Sequence, residues 1–321
     1  MKDLFSVAVL AASLIVSLTY SQPGMAQIAA TLTQTGTNNS AGIEQDATRR
    51  ALAVITQTGN DNIAGGATVA GGIVQRSRGA ATITQDGNRN GAGILQERTV
   101  LNAAATINQA GDDNLALVSQ IGNFLPAVDA LQAGTRNVAR INQSGVDNST
   151  RTRQTGVDNI ISVDQVGASY GGPVITQDGI GNAVALTQNS DDYSGGITVS
   201  QTGALNNATV TRGRGSFNDG MSIVQNGTGN QATHTSSGGR NPSLVTQNGD
   251  ANTASVTKSL SHSASTVLQT GDRNTATVVQ SGTTAPGSQA SNFATITQVG
   301  NGFVASIVQA GGSNVGTIHQ H

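Results

Sequence analysis

The sequence predicts an all-β fold: a parallel β-solenoid of stacked strand–turn–strand repeats, with two facing sheets in a cross-β-like arrangement. Three observations predict it. One short unit recurs along nearly the whole chain, aliphatic and Gln residues alternate within it at strand spacing, and Gly and Asn punctuate it at fixed turn positions. Composition points the same way. Aromatics make up 2% of the residues and charged residues 11%, so the large side chains that fill an ordinary globular core are missing. Plain disorder is a poor fit as well, because it pairs low hydrophobicity with high net charge, and here the net charge is −2. Such neutrality steers the chain neither to nucleic acid nor to anionic membrane, and it removes the repulsion that keeps copies apart. With no Cys, neither a disulfide framework nor a thiolate metal site can form.

Residues 1–26 read as an export signal peptide. Lys2 precedes a mostly apolar run from Leu4 to Leu18, and Gly24-Met25-Ala26 places small residues at the two positions that signal peptidase reads before a cut after Ala26. The run is too short and too rich in Ser and Ala for a membrane span, and no later stretch approaches spanning length. Stable membrane insertion is therefore not expected.

Residues 27–321 read as an array of about twelve and a half two-segment repeats. The clearest copy runs from Ala81 to Gln96: an alternating segment ending in Gln85, a turn through Gly87 and Asn90, and a second segment ending in Gln96. The Gln slots are regularly spaced and include Gln57, Gln85, Gln96, Gln109, Gln120, Gln143, Gln177 and Gln188. Two residues before nearly every slot sits an aliphatic residue, as at Ile55, Ile83, Ile94, Ile107 and Ile175, with departures at Ala130, Thr152 and His234. A spacing of two puts aliphatic and amide on one face of a strand, and the residues between them, mostly polar, face out. The segments are also too short and too β-branched for helices. After the first Gln of a repeat, Gly follows at plus two and Asn at plus five (Gly87 and Asn90, Gly111 and Asn114, Gly179 and Asn182), two residues that tolerate the left-handed backbone of a tight reversal. Gly-rich insertions near Gly65–Gly72 and Thr283–Ser288 lengthen two of the steps.

A single repeat is too thin to bury its apolar side. Parallel stacking at about 4.8 Å places Ile on Ile and Gln on Gln, and each Gln amide then donates to one neighbour and accepts from the other. The ladder enforces register, since a slipped strand would bury an unpaired amide. Terminal rungs leave open strand edges, and the repeat pattern shows no cap at either end, so another copy of the chain is the expected partner.

These repeats, with good copies at Ile83-Thr84-Gln85-Asp86-Gly87 through Asn90 and Ala92, and at Ile175-Thr176-Gln177-Asp178-Gly179 through Asn182 and Val184, resemble the curlin repeat of bacterial curli subunits. The ending His319-Gln320-His321 is similar to that of major curlin subunits. The resemblance implies an extracellular amyloid fibre of the biofilm matrix on a Gram-negative-type surface. It also implies export through an outer-membrane curli pore and nucleation by a minor curlin. The chain departs from the family's major subunit in starting its repeats almost at once, at Gln27-Ile28-Ala29-Ala30, without a Gly/Asn-rich export segment. Whether it is the bulk or the nucleating subunit stays open.

Other chemistry finds little support. His319 and His321 share a strand face, but no further ligand is placed beside them, so an exposed terminus is the plainer reading. His234 and His262 are isolated. Asp112-Asp113 and Asp191-Asp192 lack the Gly-rich nonapeptide of calcium-binding solenoids, and Arg212-Gly213-Arg214-Gly215 is a single RGG-like copy on a neutral chain. No catalytic motif appears, and neither an enzyme nor a cofactor is expected. Arg212, Ser236 and Lys258 occupy Gln slots in consecutive second segments, where they interrupt one ladder. They act either as gatekeepers against premature aggregation or as drift in a tolerant repeat. Two other functions compete with the fibre. One is a monomeric solenoid binding ice or a surface through Thr-x-Thr pairs such as Thr31-Leu32-Thr33 and Thr209-Val210-Thr211, although these look scattered. The other is an adhesin stalk, for which no binding head is recognisable.

Overall fold

A computed structural model of the chain describes residues 4–8, 13–20, 28–45, 50–64, 72–76, 78–97, 102–168, 172–189, 195–213, 219–259, 261–282 and 291–321. Among them every regular element is a strand, and the repeats build a parallel β-solenoid of two sheets. The chain divides into two compact units, Met1–Val163 and Asp164–His321. In each, the first segments of successive repeats form one sheet, here the leading sheet, and the second segments form the other, the trailing sheet.

In the first unit the leading sheet runs Ile28–Thr35, Ala51–Thr58, Gly79–Asp86, Ala103–Asp112, Ala127–Thr135, Ser149–Val157, all parallel. Its trailing sheet includes Ser40–Gln45, Gly91–Glu97, Leu115–Phe124 and Val138–Val146. Between the first two of these, one rung is filled by two pieces, Ile63–Ala64 and Ile73–Arg76. The Gly-rich insertion, of which only Gly72 is described, leaves from the middle of a strand without shifting the register. The second unit repeats the plan. Its leading sheet runs from Pro173–Ile180 to Val315–Gln320 and its trailing sheet from Ala183–Asn189 to Val304–Ala310.

The period-two pattern fixes what each strand buries. Along Ala51–Thr58 burial alternates residue by residue, with Ala53, Ile55 and Gln57 inward and the residues between them outward. Strand register then stacks like on like: Ile55 on Ile83 on Ile107, and Gln57 on Gln85 on Gln109. Ile55, Ile83, Ile94, Ile107 and Ile175 are fully buried, as are the small Ala53 and Ala81. Small and branched side chains let two sheets approach closely, which is why a core can form here without aromatics.

Two expectations change. The N-terminal edge, expected to be uncapped, is covered. Leu4–Ala8 pairs antiparallel with Ser40–Gln45, and Ser13–Tyr20 pairs antiparallel with Ile28–Thr35. An open edge offers unpaired N–H and C=O groups to any extended segment within reach, and Leu4–Ala8 and Ser13–Tyr20 are two such segments. The Thr-x-Thr pairs are also less scattered than their positions suggest. On the trailing sheet of the second unit Thr187, Thr211, Thr235 and Thr257 stack in one row, and Thr209 and Thr233 stack in the next. The expected cut after Ala26, Asp191-Asp192, Arg214-Gly215 and the Thr283–Ser288 insertion lie outside the described residues.

Candidate assembly site: the amide ladders

The inward Gln side chains form continuous rows of hydrogen bonds. In the first unit Gln34 Nε2 donates to Gln57 Oε1 at 2.7 Å, Gln57 to Gln85 at 2.8 Å, Gln85 to Gln109 at 2.9 Å, and Gln109 to Gln132 at 2.8 Å. The trailing row runs from Gln75 to Gln96 at 2.8 Å, then to Gln120 at 2.9 Å and Gln143 at 3.1 Å. In the second unit Gln177 donates to Gln201 at 2.8 Å, and that row continues through Gln298 to Gln320. Gln165 donates to Gln188 at 3.3 Å.

Every one of these bonds points the same way, from the earlier rung's N–H to the later rung's carbonyl. The row therefore has a donor end and an acceptor end. At the acceptor end, Gln34 Oε1 is buried and has no partner among the described residues. In many of these amides the second N–H crosses the core. Gln57 reaches Ser40 O at 3.1 Å, Gln96 reaches Ala80 O at 3.2 Å, and Gln109 reaches Gly91 O at 2.9 Å, each on the facing sheet. One side chain thus ties rung to rung and sheet to sheet. The alternation of the sequence placed the Gln residues inside, but nothing in a linear pattern gave the cross-core bond.

The turn residues divide their work differently from expectation. Gly87, Gly111 and Gly179 do adopt positive φ, at 122°, 103° and 126°. A Cβ built on Gly87 would also collide with the Gly111 carbonyl in the next turn, so this column requires glycine twice over. The Asn residues are not the left-handed ones. That role falls to the residue before each, Arg89 at φ 54° and Asp113 at φ 58°, and to Gly181 at 65°. Asn90, Asn114 and Asn182 instead form a second buried amide row. Asn90 Nδ2 bonds Gly111 O at 2.7 Å, Asn114 Nδ2 bonds Asn90 Oδ1 at 3.1 Å, and Asn206 Nδ2 bonds Asn182 Oδ1 at 3.1 Å. Burial selects Asn at this place, because the short amide satisfies turn carbonyls that water cannot reach.

Outside the Asn row, the left-handed position of the first unit carries a line of alternating charge: Asp61, Arg89, Asp113, Arg136, Asp158. Arg89 Nε lies 2.7 Å from Asp113 and Arg136 Nε lies 2.7 Å from Asp158, and these guanidinium groups hold both carboxyls below the usual range. The pairs are exposed and favour correct register more than stability.

Arg212, Ser236 and Lys258 lie in consecutive rungs of one trailing row, between Gln188 and Gln280. All three are buried, at 2%, 2% and 1% exposure. Gln280 Oε1, which follows Lys258, is left without a donor among the described residues. His319 and His321 are exposed, and among the described residues no three His, Asp or Glu side chains gather as a metal would need. No family model matches the chain, and no curated protein matches it. What the structure establishes is a repetitive β-solenoid bound internally by directional amide rows.

Proposed function

We propose that the chain is a structural subunit of an extracellular curli-like amyloid fibre, growing by stacking of further copies on its end rungs. One observation carries this reading: the leading rows repeat the same donor-to-acceptor bond from rung to rung, Gln34 to Gln154 in the first unit and Gln177 to Gln320 in the second. A row of this kind can be continued by the matching rung of another molecule, at the Val315–Gln320 edge directly and at the Ile28–Thr35 edge once the antiparallel Ser13–Tyr20 is displaced or removed. Such a head-to-tail contact is heterologous, and because each added rung advances the stack by about 4.8 Å without closing on itself, it builds an open filament. Near-zero net charge leaves little to oppose the approach of copies. On the same reading the fibre serves matrix formation, adhesion and cell aggregation, with a minor curlin nucleator and a secretion pore as its natural partners. The test is to hold the purified chain at micromolar concentration, with and without residues 1–26. Dye-positive, detergent-resistant fibres with a reflection near 4.8 Å support the proposal. A chain that stays monomeric and dye-negative in both forms contradicts it.

A second reading draws on the Thr rows. Thr209, Thr211, Thr233 and Thr235 form a two-column array of uncharged, β-branched hydroxyls on the outer face of the trailing sheet. A monomeric solenoid could present such an array to ice or another ordered surface. Ice crystals shaped by the monomer, and left unshaped after Thr211→Lys and Thr235→Lys, would favour this reading over the fibre.

A further inference from the structure

The three substituted Gln slots of the second unit are the visible part of a larger buried charge cluster. Arg212 Nη1 donates to Gly195 O at 2.7 Å, and its Nη2 donates to Asp219 O. Asp219, itself 1% exposed, takes the place of the turn Asn on the arc leading to Met221–Thr228. Its Oδ2 accepts from Ser236 Oγ at 3.0 Å and its Oδ1 from Asn241 N at 2.5 Å. Lys258 Nζ is held by three backbone carbonyls, those of Asn241, Pro242 and Ser263, at 3.4, 2.5 and 3.0 Å. His234 stands where an aliphatic residue belongs and meets Ser243 Oγ at 2.8 Å, and Ser243 in turn meets Ser265 at 3.1 Å. Ser263 Oγ is buried without a partner among the described residues.

The charge balance of this cluster is uneven. Asp219 acts on Lys258, and Lys258 and Arg212 both act on His234, whereas Ser236, Gln280, Asn241, Ser243, Ser263 and Ser265 bring no charge. Asp219 is the one acid among them, and its carboxylate is taken up by Ser236 Oγ and Asn241 N. Three carbonyls suit an ammonium with three N–H donors, but no carboxylate touches it, and a charge taken from water without a counter-charge is costly. An ordinary Gln would satisfy this slot without charge, as it does in the other rows. The cluster therefore stores a proton-dependent penalty inside the solenoid.

We propose that this cluster is a proton-operated latch: taking up protons loosens the strands from Asn207 to Thr270, and releasing them locks those strands into the stack. That such a latch would time assembly rests on the fibre reading above; the loosening itself does not. Burial drives the Lys258 ammonium down to about 7, with Asp219 partly opposing the shift. In the unfolded chain Lys258 stays protonated up to its ordinary value of 10.5. The folded state thus binds fewer protons between about 7 and 10.5, and its stability falls as pH is lowered through that window. His234, lowered to about 3 first by burial and then by Lys258 and Arg212, extends the fall through the acid range below 6.5. Burial raises Asp219, which works in the opposite sense at acid pH and offsets part of the His234 effect.

Hydrogen exchange by mass spectrometry on the full chain tests the latch, with rates corrected for intrinsic pH dependence. In the wild type, protection of Asn207–Arg212, Gln231–Ser236 and Thr253–Lys258 should fall by up to about tenfold per pH unit between pH 9 and 7. Gly79–Asp86 and Ala103–Asp112 in the first unit should hold steady. The variant carrying Arg212→Gln, Asp219→Asn, Ser236→Gln and Lys258→Gln restores the repeat's own amides, so it should fold and lose the pH dependence between pH 9 and 7. His234→Val should remove the further loss below pH 6. A pH-independent wild type, or a restored variant that keeps the dependence, overturns the proposal. Fibre lag times on the same samples separate the two claims. A lag longer at pH 6 than at pH 9 only in the wild type supports timing by the latch, and an equal lag in both overturns that timing. Failure to form fibres at any pH defeats the fibre reading, with the exchange result still deciding the latch.

Discussion

The two units share one repeat and one backbone plan but differ in what fills the trailing row. In the first, Gln75, Gln96, Gln120 and Gln143 follow one another without interruption, and alternating Asp and Arg side chains reinforce the register outside. In the second, the row breaks at Arg212, Ser236 and Lys258, and the outer position holds the uncharged Gly181, Leu205, Gly229 and Ala251 before a single charge returns at Arg273. The backbone register nevertheless continues through the break, with Val210, His234, Val256 and Val278 still in line. Main-chain ladders and the inward column therefore suffice to set the fold. The amide rows decide how costly each local opening is.

The comparison is sharpest where a row is intact. Gln109→Ala should orphan a Gln85 N–H, the Gln132 carbonyl and Gly91 O inside a dry core, at a cost of about 4 kcal/mol in denaturant unfolding. Gly87→Ala meets both a positive φ and a facing carbonyl, and should cost about 3 kcal/mol by the same measurement. In the broken row the effect becomes a slope. Unfolding of the second unit, followed by circular dichroism, should lose up to about 1.4 kcal/mol per unit as pH falls from 10 to 7, and Lys258→Gln should flatten that slope. At the small end, Arg136→Ala removes an exposed pair with Asp158 and should leave the unfolding midpoint unchanged in 0.5 M salt. If Gln109→Ala proved as mild as Arg136→Ala, the distinction between buried row and outer line would collapse.

Much of this arrangement was legible in the sequence because the repeat states it many times over. Alternation at Ile83 and Gln85 gives the face, recurrence gives the stacking, and the gaps at Arg212, Ser236 and Lys258 give the broken row. Three features were hidden for physical reasons. The role of Asn90 depends on burial within a turn, where the left-handed residue is its neighbour Arg89. The second Gln bond reaches a backbone carbonyl on the facing sheet, to which no side-chain pattern points. Asp219, seven residues beyond Arg212, meets it through its own backbone carbonyl from the place of a turn Asn, a contact to which no repeat position points.

The central claim, that directional rows of buried amides hold the stack together, is most directly tested by side-chain exchange. NMR of the Gln Nε2 protons should find Gln57, Gln85 and Gln109 strongly protected, with Nε2 of each coupled to the carbonyl of the next rung. Amide protons at these positions that exchange as fast as free glutamine would contradict it.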